Sequence, residues 1–183
     1  GRIIDLVKEV GCEEDTIFVF TSDNGPLYDQ LGGTDCEFFN SHAGFRGRKG
    51  SYYEGGFRVP SLVRWKGKIA PGTVSDRVTG FEDWLPTLLE LVGERSRTPA
   101  GIDGISFAPT LLGKKQEPRP SLYRESPSYG GQQCVRVGDW KLVAANDTPW
   151  ELYDLRTDRA EQHNLAAQMP DKARELAALW QQQ

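Results

Sequence analysis

The chain has 183 residues, 22 lysines and arginines against 26 aspartates and glutamates, and a formal net charge of −4. That length supplies one moderate core or part of a larger one, and the mild acidity removes the electrostatic case for nucleic acid or an anionic membrane as a partner. No apolar run reaches bilayer-spanning length and no signal-peptide pattern opens the chain, so no membrane span is expected.

Ile3, Val7 and Val10 recur at helical spacing before Gly11, which stands where a C-cap glycine belongs. The chain is therefore expected to open inside a helix that follows an earlier strand of a larger α/β domain, its N-terminus being a cut. Residues 16–20 form a continuous apolar run rich in β-formers, which predicts a strand covered on both faces, as in a parallel sheet flanked by helices. The strand ends in Thr21-Ser22-Asp23-Asn24-Gly25-Pro26, a turn signal. Residues 27–56 are polar, glycine-rich and dotted with aromatics, a length that in a compact domain is usually functional or disordered.

Residues 58–65 predict a second strand and 74–79 a short extended piece. A helix follows, capped by Asp83, with Pro86 in its first turn, Leu85, Leu88, Leu89 and Val92 on one face, and Gly93 at its close. Residues 114–120 are charged and proline-bearing, which suits a boundary. Beyond it, strands at 121–125, 135–137, 141–144 and 151–154, separated by turns such as Gly138-Asp139, predict an antiparallel meander. A last helix starts near Pro170 with Leu176, Leu179 and Trp180 on one side. The three cysteines, Cys12, Cys36 and Cys134, form no CxxC pair and fit no zinc site, and a Cys36–Cys134 bridge stays open.

Two motifs can carry chemistry. Asp23-Asn24-Gly25 follows a strand end, the edge where open α/β sheets place ligands, and offers a carboxylate and a carboxamide oxygen, hard donors suited to Ca²⁺ or Mg²⁺. The same tripeptide also makes a metal-free Asx-type turn. The second motif, Gly44-Phe45-Arg46-Gly47-Arg48-Lys49-Gly50, holds three cations among glycines, which is either an oxyanion site or a solvated basic loop. Glu54 can neutralise Arg58 or a nearby arginine as a structural group. His42 is a candidate for contact with a leaving group or an ordinary loop histidine, and His163 is expected to be structural. Tyr52, Tyr53 and Phe57 are a sugar platform or, more commonly, core. A cation site beside a Lys/Arg cluster would hold a tetrahedral anion from two sides, as sulfuryl or phosphoryl transfer requires.

The run IFVFTSDNGP, then GFRGRKGSYYEGGFRVPSLVRWKGKIAPG, FEDWLPTLLELVG and DGISFAPTLLG, and finally VRVGDWKLV with WELYDLRTDRAEQHNLA, resembles the second half of a type I sulfatase in the family's order. The resemblance implies an alkaline-phosphatase-like α/β sandwich, part of a mainly parallel sheet with flanking helices, plus a small C-terminal antiparallel sheet with a terminal helix. Residues 1–113 would be the C-terminal part of the catalytic domain and 114–183 a small C-terminal α+β subdomain. It implies Asp23 and Asn24 as ligands of Ca²⁺ (Mg²⁺ less so) and Lys49 as the sulfate-binding catalytic lysine, with Arg46 and His42 beside it on the substrate.

The family's formylglycine nucleophile, in a C/S-x-P-x-R motif, its paired-aspartate metal site and its histidines are expected upstream, since no such motif occurs here. The chain would thus be inactive alone, its partners being a sulfated small molecule or carbohydrate and the missing N-terminal part of its own domain. Cut from that sheet, it is expected to be aggregation-prone. Family habit places such proteins in the periplasm, outside the cell or in lysosomes. Rival readings are a phosphodiesterase or phosphonate hydrolase on the same scaffold, and an inactive remnant acting as a binding module. The presence of only two histidines weighs against a two-zinc phosphatase.

Overall fold

The structure, a computed structural model, describes residues 1–28, 33, 35–145 and 148–182. The remaining positions of the 27–56 stretch, 29–32 and 34, lie outside the described residues. The chain forms two compact units, one of Gly1–Thr21 with Pro60–Arg119, the other of Ser22–Val59 with Pro120–Gln183.

In the first unit, α1 (Arg2–Glu9) feeds β1 (Ile17–Thr21), and β2 (Ser61–Trp65) pairs with it. Gly11 ends α1 with φ 76°, and the Gly11 and Cys12 amides donate back to Lys8 and Val7, the paired bonds of a Schellman cap. The strand expected at 58–65 starts three residues later, and residues 74–79 form no strand.

Within this chain β1 and β2 run antiparallel, Ile17 opposite Trp65 and Thr21 opposite Ser61. Two consecutive strands pair in parallel only when a crossover returns the chain to the starting end of the sheet. β2 does not return to the starting end of β1: its first residue, Ser61, lies opposite Thr21, the last of β1. Nor is β1 covered on both faces, for Phe20 is 68% exposed.

The helix α3 (Trp84–Leu91) forms as its apolar spacing predicts, but Asp83 does not cap it through its side chain. The Asp83 carboxylate, 1% exposed, instead accepts from the Gly80 and Ile105 amides and pairs with Arg119. One buried charge thus ties three segments together. Thr87 extends the clasp, donating to the Asp83 carbonyl and accepting from the Phe107 amide at the entry of α4 (Ala108–Leu111).

The second unit contains α2 (Glu54–Phe57), β3 (Leu122–Ser126), β4 (Gln132–Val137), β5 (Trp140–Ala145), β6 (Glu151–Asp154) and α5 (Pro170–Trp180). The four strands are an antiparallel meander in the order β3-β4-β5-β6, as the sequence pattern predicts. Side chains alternate between faces with period two. Val135, Leu142 and Leu152 face Leu176 of α5, with Trp150 and Trp180 packed alongside. Cys134, Val143, Tyr153 and Leu155 form the opposite face, covered by Tyr52, Tyr53 and Phe57, which are core as the commoner reading has it. Cys36 and Cys134 are both buried and are not bridged to each other. Burial pushes the Cys134 thiol up to about 11. Glycine-rich residues 44–56 therefore lie on the sheet as a fitted layer.

Candidate active site

Both sequence motifs belong to the second unit, and two backbone hydrogen bonds lock them together. The Gly25 amide donates to the Gly56 carbonyl at 2.7 Å, and the Lys49 amide donates to the Pro26 carbonyl at 2.9 Å. The approach is close enough to require glycine. A Cβ on Gly25 would lie 1.8 Å from the Gly55 carbonyl oxygen, and one on Gly55 would lie 2.3 Å from the carbonyl oxygen of Gly47. Gly55→Ala is therefore expected to destabilise the protein by about 1–3 kcal/mol through overpacking against backbone that cannot rotate away. Urea unfolding of the full-length protein measures this, and an unchanged midpoint would show that the segment can spread.

The turn at Asp23-Asn24 is built without their side-chain oxygens. Ser22 Oγ donates to the Asn24 carbonyl and Asn24 Nδ2 donates to the Gly25 carbonyl, each at 2.9 Å. Among the described residues no hydrogen bond reaches the Asp23 carboxylate or Asn24 Oδ1, so the Asx-turn geometry, in which such an oxygen accepts from an amide two residues on, is not the one adopted. Asp23 is exposed and Asn24 half-buried. A carboxylate and a carboxamide oxygen suit Ca²⁺ chemistry, but Ca²⁺ takes six to eight oxygens, so these two side chains would fill only part of such a site. No group of three or more His, Cys, Asp or Glu side chains converges among the described residues.

Lys49 sits at the second position of a turn closed by the Ser51 amide donating to the Arg48 carbonyl at 2.9 Å. Its ammonium makes no ion pair among the described residues. The other predicted substrate contacts are engaged elsewhere. Arg46 Nη1 donates to Glu151 Oε2 at 2.7 Å and to the Tyr153 hydroxyl at 2.6 Å, while its guanidinium lies 3.8 Å from the Tyr53 ring centroid. Burial with the neighbouring Glu151 carboxylate pushes the Tyr53 phenol up to about 12. His42 Nδ1 accepts from the Gly44 amide at 3.0 Å, which places the ring proton on Nε2, 3.2 Å from Glu37 Oε1. Glu37 also pairs with Arg48. The backbone of Lys49 is thus tied to Pro26, beside the Asp23-Asn24-Gly25 turn, while Arg46 is engaged by Glu151 and Tyr153 of β6 and His42 by Glu37 and Gly44.

Beneath the loop lies a buried ion network that the sequence revealed only in part. Glu54 pairs with Arg58 at 2.9 Å, as expected, and also with Lys141 Nζ at 2.9 Å. Lys141 further pairs with Glu161 Oε1 at 2.7 Å, as an ion pair rather than an aligned hydrogen bond, and Glu161 Oε2 accepts from the Glu54 amide. Lys141 is 0% exposed. Burial alone would push the Glu54 carboxyl up, but the Lys141 ammonium and hydrogen bonds from Lys141 and Arg58 hold it below the usual carboxylate range. At Glu161 burial prevails over the same ammonium, and its carboxyl is raised. Lys141 and Glu161 were missed because single charges in strands and loops read as solvent-facing. The available signal was alternation: Lys141 shares the period-two face of apolar Val143. His163 donates its amide to Asp158 and leaves its ring exposed, a structural place.

Comparison with known proteins gives a consistent answer. A family model described as Sulfatase matches residues 1–94. The chain is 31% identical to the N-acetylgalactosamine-6-O-sulfatase of Bacteroides thetaiotaomicron over 98% of its own length and 34% identical to human arylsulfatase A over 90%. It spans only 38% and 36% of those relatives. A solved Bacteroides thetaiotaomicron structure described under glycosaminoglycan metabolism superposes on the whole chain with a TM-score of 0.79 at 29% identity, covering 41% of that structure. A further solved structure, of a protein in complex with its substrate D-glucosamine-2-N,6-O-disulfate, gives 0.77 at 27% identity over the whole chain and 36% of its own. The chain shares their alkaline-phosphatase-like α/β fold, with the small antiparallel sheet and terminal helix at its C-terminal end. No helix among the described residues is long and apolar enough to cross a membrane.

Proposed function

We propose that this chain, which belongs to the sulfatase family, is the C-terminal portion of a sulfuric ester hydrolase and forms one side of its sulfate site. The observation that carries the reading is the pair of backbone hydrogen bonds that fasten the Asp23-Asn24-Gly25 turn and the Lys49 turn to each other, Lys49 making no ion pair among the described residues.

In this reading Lys49 neutralises negative charge that grows on the sulfate oxygens as the ester bond breaks. Asp23 and Asn24 contribute oxygens to Ca²⁺, with the other ligands coming from upstream. Bound there, the cation supplies a second positive charge against the same anion. The nucleophile, a formylglycine upstream, is also outside these 183 residues, so the chain alone is inactive. Arg46 and His42 are lesser substrate-binding candidates, because each would have to exchange its present partners for the ligand. Residues 1–113 belong with the catalytic domain and 114–183 form its C-terminal subdomain. The exposed apolar side chains of α1, β1 and α3, such as Ile3, Phe20 and Leu85, await the upstream part of that domain. Sulfated carbohydrate is the preferred substrate class, supported by the sugars in the names of the relatives.

Calcium titration calorimetry on the full-length protein tests the metal assignment directly. The heat of binding is expected to vanish, or the affinity to fall at least ~10-fold, in an Asp23→Ala, Asn24→Ala variant, since each lost oxygen ligand must be replaced by water. Unchanged binding would remove both residues from the metal site.

A further inference from the structure

We infer that Gln132 is a positioning residue for Lys49, an inference that rests on the proposed role of Lys49 in sulfate binding. Gln132 opens β4 and is 5% exposed, on the face that carries Cys134. A carboxamide in such a place costs free energy unless both of its ends are bonded. Here both ends are used on one object. Gln132 Nε2 donates to the Gly50 carbonyl, the residue next to Lys49, and Gln132 Oε1 accepts from the Tyr52 amide at 3.0 Å. No other partner of this carboxamide occurs among the described residues.

The bonded groups are the third residue of the Lys49 turn and the residue that follows the turn. Within it, the Ser51 amide donates to the Arg48 carbonyl, and Ser51 Oγ accepts from the Arg48 amide. Gly50 has φ 90°, the left-handed backbone required at the third position of a type II turn. That internal closure fixes the shape of the turn but not its height above the sheet. The Lys49 amide, donating to the Pro26 carbonyl, holds one side, and the Gln132 carboxamide grips the other through two backbone groups two residues apart. It does what a neighbouring strand would do, so Lys49 is held in register with β4. A displacement of about 1 Å in a charge-stabilising group can cost up to ~10²-fold in rate.

The test uses the full-length protein with a nitrophenyl sulfate as probe and compares Gln132→Met, Lys49→Ala and the double variant. Gln132→Met keeps the length and removes both bonds, and is expected to lower kcat about tenfold in molecules that remain folded. Added to Lys49→Ala it is expected to cost nothing further, because a group acting through Lys49 has nothing to act on once the ammonium is gone. A merely structural role would give losses that multiply. Gln132→Glu, which keeps the acceptor and sets a carboxylate against the Gly50 carbonyl, is expected to behave alike and serves if the methionine variant does not fold. Normal kcat in the Gln132 variants, or losses that multiply in the double variant, would overturn the positioning role while Lys49 keeps its place. Normal kcat in Lys49→Ala would overturn the site reading and the positioning role with it.

Discussion

Lys49→Ala in the full-length protein is expected to lower kcat for a sulfate ester by at least ~10²-fold, the loss typical of removing one preorganised donor from a developing oxyanion. The size of the effect follows from the placement of the ammonium. Among the described residues it makes no ion pair, while its backbone is fixed to Pro26 and its turn is closed on itself. A cation held without a counter-ion keeps its full field for a ligand and needs no reorganisation when charge develops. Lys49→Arg is expected to recover little, since a bulky planar fork cannot replace a compact point charge at a fixed height. Near-normal turnover by Lys49→Ala would take Lys49 out of the site.

The second large effect falls on stability. Lys141→Ala is expected to cost about 3–5 kcal/mol, because it leaves two buried carboxylates around an empty place, and removal of one member of a buried ion network strands the others. Glu54 retains Arg58 at 2.9 Å and Arg136 at 3.9 Å, so Glu161 bears most of the loss. Glu161→Gln keeps an acceptor for the Glu54 amide and leaves one ammonium facing one carboxylate, and is expected to cost only ~1 kcal/mol, about one hydrogen bond.

The two carboxyls respond to acid in opposite senses. The stability that Glu54 contributes is present above the ordinary carboxylate range, ~4.3, and is lost as pH falls through its lowered value. Ionised Glu161 carries a cost that is relieved as pH falls through its raised value toward the ordinary one. Glu161→Gln should therefore abolish the gain on mild acidification and keep the loss in stronger acid. Urea unfolding at a series of pH values reads both, and equal midpoints for Lys141→Ala and the unaltered protein would dismiss the network as a stabilising element.

How much of this was legible in the sequence depended on the range of the interaction. Local signals were reliable: the apolar spacing before Gly11 and Gly93, the strand at 151–154, the turn Gly138-Asp139 and the helix from Pro170 all appear where the pattern puts them. Pairing was not legible for β1, because a continuous apolar run reports coverage by neighbours and says nothing of which direction they run. Asp83 was recognised as a helix-start residue, yet its carboxylate turns to Ile105 and Arg119, partners 22 and 36 positions away. The site behaved similarly. Asp23, Asn24 and Lys49 stood out as motifs, whereas Gln132, Lys141 and Glu161 lie about 80–115 positions from the Lys49 loop, and of the three only Lys141 carries a local signal, its alternation with Val143. Arg46 was legible as a cation but not as an anchor, since its role is set by Glu151 and Tyr153.

Side-by-side turnover of a nitrophenyl sulfate and a bis-nitrophenyl phosphate by the full-length protein tests whether this chain completes a site for a sulfate ester. The expected result is turnover of the sulfate ester at least ~10-fold above that of the phosphodiester, lost on substitution of Lys49. Preferred turnover of the phosphodiester, or no turnover of either by a full-length protein that binds calcium, would contradict it.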